Sequence, residues 1–76
     1  MNRISKEQLL HLRKKYPPGT RVELIKMNDQ YSKLSSGATG TVVSVDDIGT
    51  IHVSWDLGSS LGIVYGEDSC RVLETQ

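Results

Sequence analysis

Hydrophobic and polar residues follow two rhythms along this chain, and the change falls at Pro17-Pro18-Gly19. Before it, Leu9, Leu12 and Tyr16 recur at i, i+3 and i+7, the spacing of one helix face. Ser5 and Gln8 have the spacing of a capping box, and Ile4 and Leu9 that of a hydrophobic staple. Arg13, Lys14 and Lys15 suit the negative end of a helix dipole, and Pro17 disfavours helical geometry at Tyr16. The pattern predicts a helix over residues 5–15. A helix this short is marginal alone, so it must dock on the rest.

After the prolines the period becomes two. "TRVELIKM" turns Val22 and Leu24 to one side and Arg21 and Glu23 to the other. "TVVSV", "TIHVSW", "LGIVY" and "CRVL" read as four more short strands, and "GEDS" before the last as one helical turn. The inward positions predict a core containing Val22, Leu24, Val53, Trp55, Leu61 and Val72. The polar stretch 28–40 reads as one long loop, of the kind that often carries function. Residues 74–76 read as a frayed tail. The fold class is therefore mainly β: a small five-stranded barrel over residues 19–73 with one N-terminal α-helix, forming a single domain of residues 1–76. The register of the central hairpin stays open. Pairing Val45 with Ile51 sets Val43 against Val53, whereas pairing Val45 with Thr50 sets Gly40 against Trp55. A bulge between Val42 and Val45 would satisfy parts of both.

Composition narrows the chemistry. Cys70 is the only cysteine, which excludes an intrachain disulfide and leaves too few ligands for a Cys/His zinc site. A lone thiol suits the reducing cytoplasm, and "MNRISKEQLL" has no apolar run suggesting a signal peptide or membrane span. Net charge is zero, yet residues 1–38 carry +5 and residues 39–76 carry −5. Either folding interleaves these charges in space, or the domain has a basic and an acidic face.

Three aspartates sit in two turns. Asp46 and Asp47 precede Gly49, and Asp56 precedes Gly58, the side chains and flexible backbone that tight reversals require. An EF-hand pattern is missing, and "GATG" lacks the Lys-Ser/Thr of a phosphate loop. His52 alternates outward from Ile51, Val53 and Trp55, His11 has no second ligand at i+4, and Cys70 follows an apolar rhythm with Val72. These features predict no enzyme activity, no metal and no cofactor. Trp55 beside Tyr31 and Tyr65 could form an aromatic groove for Pro-rich peptides, but its phase with Ile51 and Val53 favours the core. The basic residues Arg13, Lys14, Lys15, Arg21, Lys26 and Lys33, with Tyr31 or Tyr16 for stacking, form a candidate nucleic-acid patch. Zero net charge argues against it. A protein partner is the first expectation, nucleic acid the second, and a membrane is not expected.

The stretches "PPGTRVELIKM", "GATGTVVSVDDIGTIHVSWDLGSSLGIVYGED" and "RVL" resemble a bacterial and phage-associated family known as domain of unknown function 4314, from Pro17 to Leu73. More loosely, "GTVVSV…GTIHVSWDLGS" is similar to SH3-like modules such as the Mind-bomb/HERC-type domain and KOW-like barrels. The resemblance implies an SH3-like barrel, a binding or assembly role, and a setting near phage or mobile elements. It implies no catalytic residues. The chain departs from the family's pattern at Ser35-Ser36, where prolines are frequent, and at Cys70, where a larger apolar residue is common.

Overall fold

The computed structural model describes residues 4–28 and 34–73. Its elements are α1 (Lys6–Lys15), β1 (Arg21–Lys26), β2 (Thr39–Val45), β3 (Ile51–Trp55), β4 (Gly62–Ile63) and β5 (Ser69–Val72). The helix starts where its cap requires. Ser5 Oγ accepts the Gln8 N–H at 3.1 Å, and Gln8 Oε1 accepts the Ser5 N–H at 3.0 Å. It ends at Tyr16, whose N–H still bonds Leu12 O before the two prolines.

The five strands form one antiparallel sheet in the order β4-β3-β2-β1-β5. No ladder joins β4 to β5 among the described residues, so the sheet is open at that seam. Part of each alternative for the central hairpin occurs, as a bulge between Val42 and Val45 allows. Val45 pairs with Ile51 and Gly40 with Trp55, because a bulge at Val43 shifts the register between them. The bulge turns both Val43 and Ser44 outward and returns Val45 to the inner phase. A second bulge, at Ile25 in β1, does the same between Leu24 and Lys26.

The inner face and the segments packed on it bury Tyr16, Val22, Leu24, Leu34, Val42, Ile51, Val53, Trp55 and Ile63, and half-buried Val72 packs against them. Trp55 is 2% exposed. Its indole lies over Gly40, where an added Cβ would come within 2.7 Å of Val53 and 2.9 Å of the ring. Leu61 corrects the expected core, being exposed. Its carbonyl accepts the Trp55 Nε1–H at 2.8 Å, which fixes the Leu61 backbone outside β4, and Ile63 takes the inward position instead.

The helix contributes no fully buried side chain. It sits against the tip of the β2–β3 hairpin. Gly49, with φ of +87°, lies close under Ile4 and Tyr65, and Arg13 reaches the Val45 carbonyl at 3.4 Å. Helix docking thus depends on a glycine that allows close approach as well as a left-handed turn.

Candidate functional site

Two members of the expected basic patch, Arg13 and Arg21, are tied to acids from the other half of the chain. Arg13 Nη2 meets Asp47 Oδ1 at 2.7 Å. Arg21 forms a two-pronged pair with Asp56 at 2.8 and 2.5 Å, and Thr39 Oγ1 donates to the same carboxylate at 2.6 Å. Glu23, from the basic half, pairs with Arg71, the sole cation of the acidic half, at 2.6 Å. Each of these three pairs joins the two halves, so folding interleaves the charges that the linear sequence separates. Lys14, Lys15 and Lys26 have no carboxylate partner among the described residues. Tyr31 and Lys33 lie outside the described residues, as do 74–76.

The aspartates do different work. Asp46 Oδ1 accepts the Ile48 and Thr50 N–H groups at 3.2 and 2.8 Å, so this residue holds the hairpin loop. Its other oxygen lies 2.9 Å from His52 Nε2, a pair that sequence spacing did not single out. Partial burial pushes the Asp46 carboxyl up, but the His52 hydrogen bond and the two amides outweigh it and the net shift is downward. Asp56 departs from the expected turn bond to its own backbone. Its carboxylate turns across the outer face to Arg21, which holds it well below the usual carboxylate range. The Gly58 N–H closes that turn on Trp55 O. Asp47 stays 95% exposed and serves the helix through Arg13. The three carboxylates do not converge, and no cluster of metal-ligating side chains occurs among the described residues.

What the tertiary structure does assemble is a groove of about 240 Å³ at the open seam of the sheet. Its walls include Leu12 and Tyr16 from the helical side, Ile51 and Ile63 from β3 and β4, Tyr65 from the segment between β4 and β5, and Cys70 from β5. The groove is smaller than the roughly 300–1,000 Å³ of typical small-molecule sites. The Tyr16 hydroxyl donates to the Cys70 carbonyl at 3.4 Å. Burial, with the neighbouring Cys70 thiol, pushes the Tyr16 phenol up to about 12, and burial likewise pushes the Cys70 thiol up. Both groups are therefore neutral near pH 7, so beside Ser69 and the Asp68 carboxylate, which accepts the Asn28 and Val64 N–H groups, the groove offers apolar surface with two tyrosines rather than a reactive thiolate. Lys15 Nζ lies 5.5 Å from the Tyr16 ring centroid at the groove wall. Sequence reading missed this site because its residues come from four separate segments. The phases of Leu12, Tyr16, Ile51 and Cys70 marked them only as apolar positions.

No helix among the described residues is long and apolar enough to cross a membrane. Neither the curated proteins nor the solved structures include a match to the chain. A family model described as "Domain of unknown function (DUF4314)" matches residues 5–73. The match extends past Pro17 to the helix cap, so α1 is part of the shared domain rather than an appendage. With nearly its whole length covered, this chain belongs to the DUF4314 family.

Proposed function

We propose that this chain is a non-enzymatic protein-binding module, an SH3-like barrel whose seam between β4 and β5 is the recognition site. The observation that carries this reading is the apolar, tyrosine-bearing groove lying where the sheet is left open. Tyrosine offers a large, stiff contact area with a polar tip, the combination that protein interfaces favour. Strand order and the two bulges support the barrel form, since bulges tighten the bend of a short sheet. Against nucleic acid as the ligand, Arg13 and Arg21 are tied to Asp47 and Asp56. Lys14, Lys15 and Lys26, with no carboxylate partner among the described residues, keep that alternative worth testing.

The test places a photo-crosslinking amino acid at Tyr65 in the groove, and for comparison at exposed Glu7 on the helix. Light applied to cells should yield a discrete protein adduct at the groove position alone. In parallel, DNA and RNA titrated into the isotope-labelled chain should leave the amides of Lys14, Lys15 and Lys26 unshifted at low salt. No adduct, together with salt-sensitive shifts at those lysines, would reverse the assignment in favour of nucleic acid.

A further inference from the structure

The two edges of the sheet are not equivalent. Leu73 N–H bonds Arg21 O at 2.8 Å, which makes Arg21 and Leu73 a hydrogen-bonded pair of the antiparallel β1–β5 ladder. Such pairs alternate with non-bonded ones. Glu23/Arg71 is therefore bonded, while Val22/Val72 and Leu24/Cys70 are not. The other side of β1 agrees, because the Leu24 N–H bonds Ala38 O, toward β2. The N–H and C=O groups of Cys70 and Val72 thus point outward from the sheet. Only the Cys70 carbonyl has a partner there among the described residues, the Tyr16 hydroxyl.

The β4 edge is closed by its own turn. Val64 N–H donates to Asp68 Oδ2, and Val64 O accepts the N–H groups of Glu67 and Asp68. Among the described residues the β5 edge carries only the Tyr16 hydroxyl on the Cys70 carbonyl, and it borders the groove.

The geometry points to β5 as an acceptor edge for an extended segment of a partner protein, which pairs with Cys70 and Val72 and seats an apolar side chain in the groove. This rests on the protein-binding reading and names its mode. Outward N–H groups are donors to which an extended strand presents backbone carbonyls at the right repeat. Charge completes the description of the occupant. Lys15 Nζ lies 5.5 Å from the ring centroid of Tyr16, a groove residue, and has no carboxylate partner among the described residues. Asp68, the carboxylate in the groove lining, is already bonded to the Asn28 and Val64 amides. Side chains on one face of a strand lie two positions apart. The segment therefore carries an aliphatic residue with Asp or Glu two places away.

A phage-displayed library of random linear peptides, panned on the full chain, tests this directly. Enriched peptides should share the aliphatic-x-acid pattern, and their titration should shift the Cys70 and Val72 amides and slow their exchange. Val72→Pro removes one outward N–H while sparing the β1 ladder, and should weaken binding about tenfold. Lys15→Glu should weaken it about fivefold. N-methylation of alternate peptide amides reads the same bonds from the ligand side and needs no folded variant. Failure of any peptide to enrich, or binding indifferent to N-methylation or to Val72→Pro in a folded chain, would overturn the proposal. So would a dimer in light scattering that Val72→Pro abolishes, since the edge would then belong to a second copy. A Tyr65 adduct that persists in the Val72→Pro chain would leave the protein-binding reading standing and remove only the strand mode.

Discussion

Gly40 is the position where one methyl group should cost most. It lies mid-strand in β2 without a left-handed φ, so Ala fits the backbone there and the penalty is steric alone. The added Cβ would stand 2.7 Å from Val53 Cγ1, 2.8 Å from the Ser54 carbonyl oxygen and 2.9 Å from Trp55 Cε3. Ordinary contact begins near 3.4 Å. A side-chain tip could yield, but the Ser54 oxygen belongs to the neighbouring strand and moves only with the sheet. Overpacking of this kind costs about 1–3 kcal/mol, and the backbone contact argues for the upper end. Replacing glycine also restricts the unfolded chain, which returns about 0.4–1 kcal/mol. The net expectation is a loss of about 2 kcal/mol. For a domain of this size total stability is only about 4–11 kcal/mol, and such a loss lowers Tm by roughly 8–16 °C. Urea unfolding followed by Trp55 emission measures it, because Trp55 is the only tryptophan and is buried. Gly58→Ala is the control. Its φ is +98° and no atom lies within 4 Å, so it should lose stability through backbone strain and leave the native Trp55 emission unchanged. A Gly40→Ala chain within about 0.5 kcal/mol of wild type, with unaltered emission, would refute the packing of Trp55 on Gly40.

Ser5→Ala breaks the capping box and should cost about 1 kcal/mol, seen as lower helical circular dichroism and a lower Tm. The raised pKa of Tyr16 means that its contribution to stability is complete below its ordinary value of 10.0 and is lost as pH rises through about 12. Alkaline unfolding should therefore coincide with a late phenolate absorbance step that Tyr16→Phe removes. Asp56 has the opposite sign. Arg21 depresses its pKa, so its contribution is complete above the ordinary value of 3.8 and is lost as pH falls toward the lower folded value. Asp56→Asn should flatten acid unfolding below that pH, and an unchanged acid limb would show that the Arg21 pair is not formed in solution.

Local rules set much of this fold. Ser5, Gln8 and Pro17 bracket the helix, and alternation separates Val22, Leu24, Val53 and Trp55 from their outward neighbours before any long-range contact is known. Asp46 and Gly49 mark their turn because the required bonds close within a few residues. Leu61 shows the limit of that logic. Its place in an apolar run suggests burial, but the indole N–H captures its carbonyl, and only the position of Trp55 decides that. Register is a similar case: alternation allows a bulge between Val42 and Val45, but only laying β2 against β3 places it at Val43. Charge placement goes further, because the two halves of opposite sign look separate until Arg13, Arg21 and Glu23 find Asp47, Asp56 and Arg71.

By itself the sequence determined the helix with its cap, the positions of the strands and the inward phase of β1 and β3, because those depend on interactions spanning a handful of residues. Tertiary structure alone decided which strand stays at each edge, which cations remain free, and that Leu12, Tyr16, Ile63 and Cys70 share one groove. The physical reason is separation along the chain. A contact between Tyr16 and Cys70 exists only after the sheet has brought its last strand back beside its first.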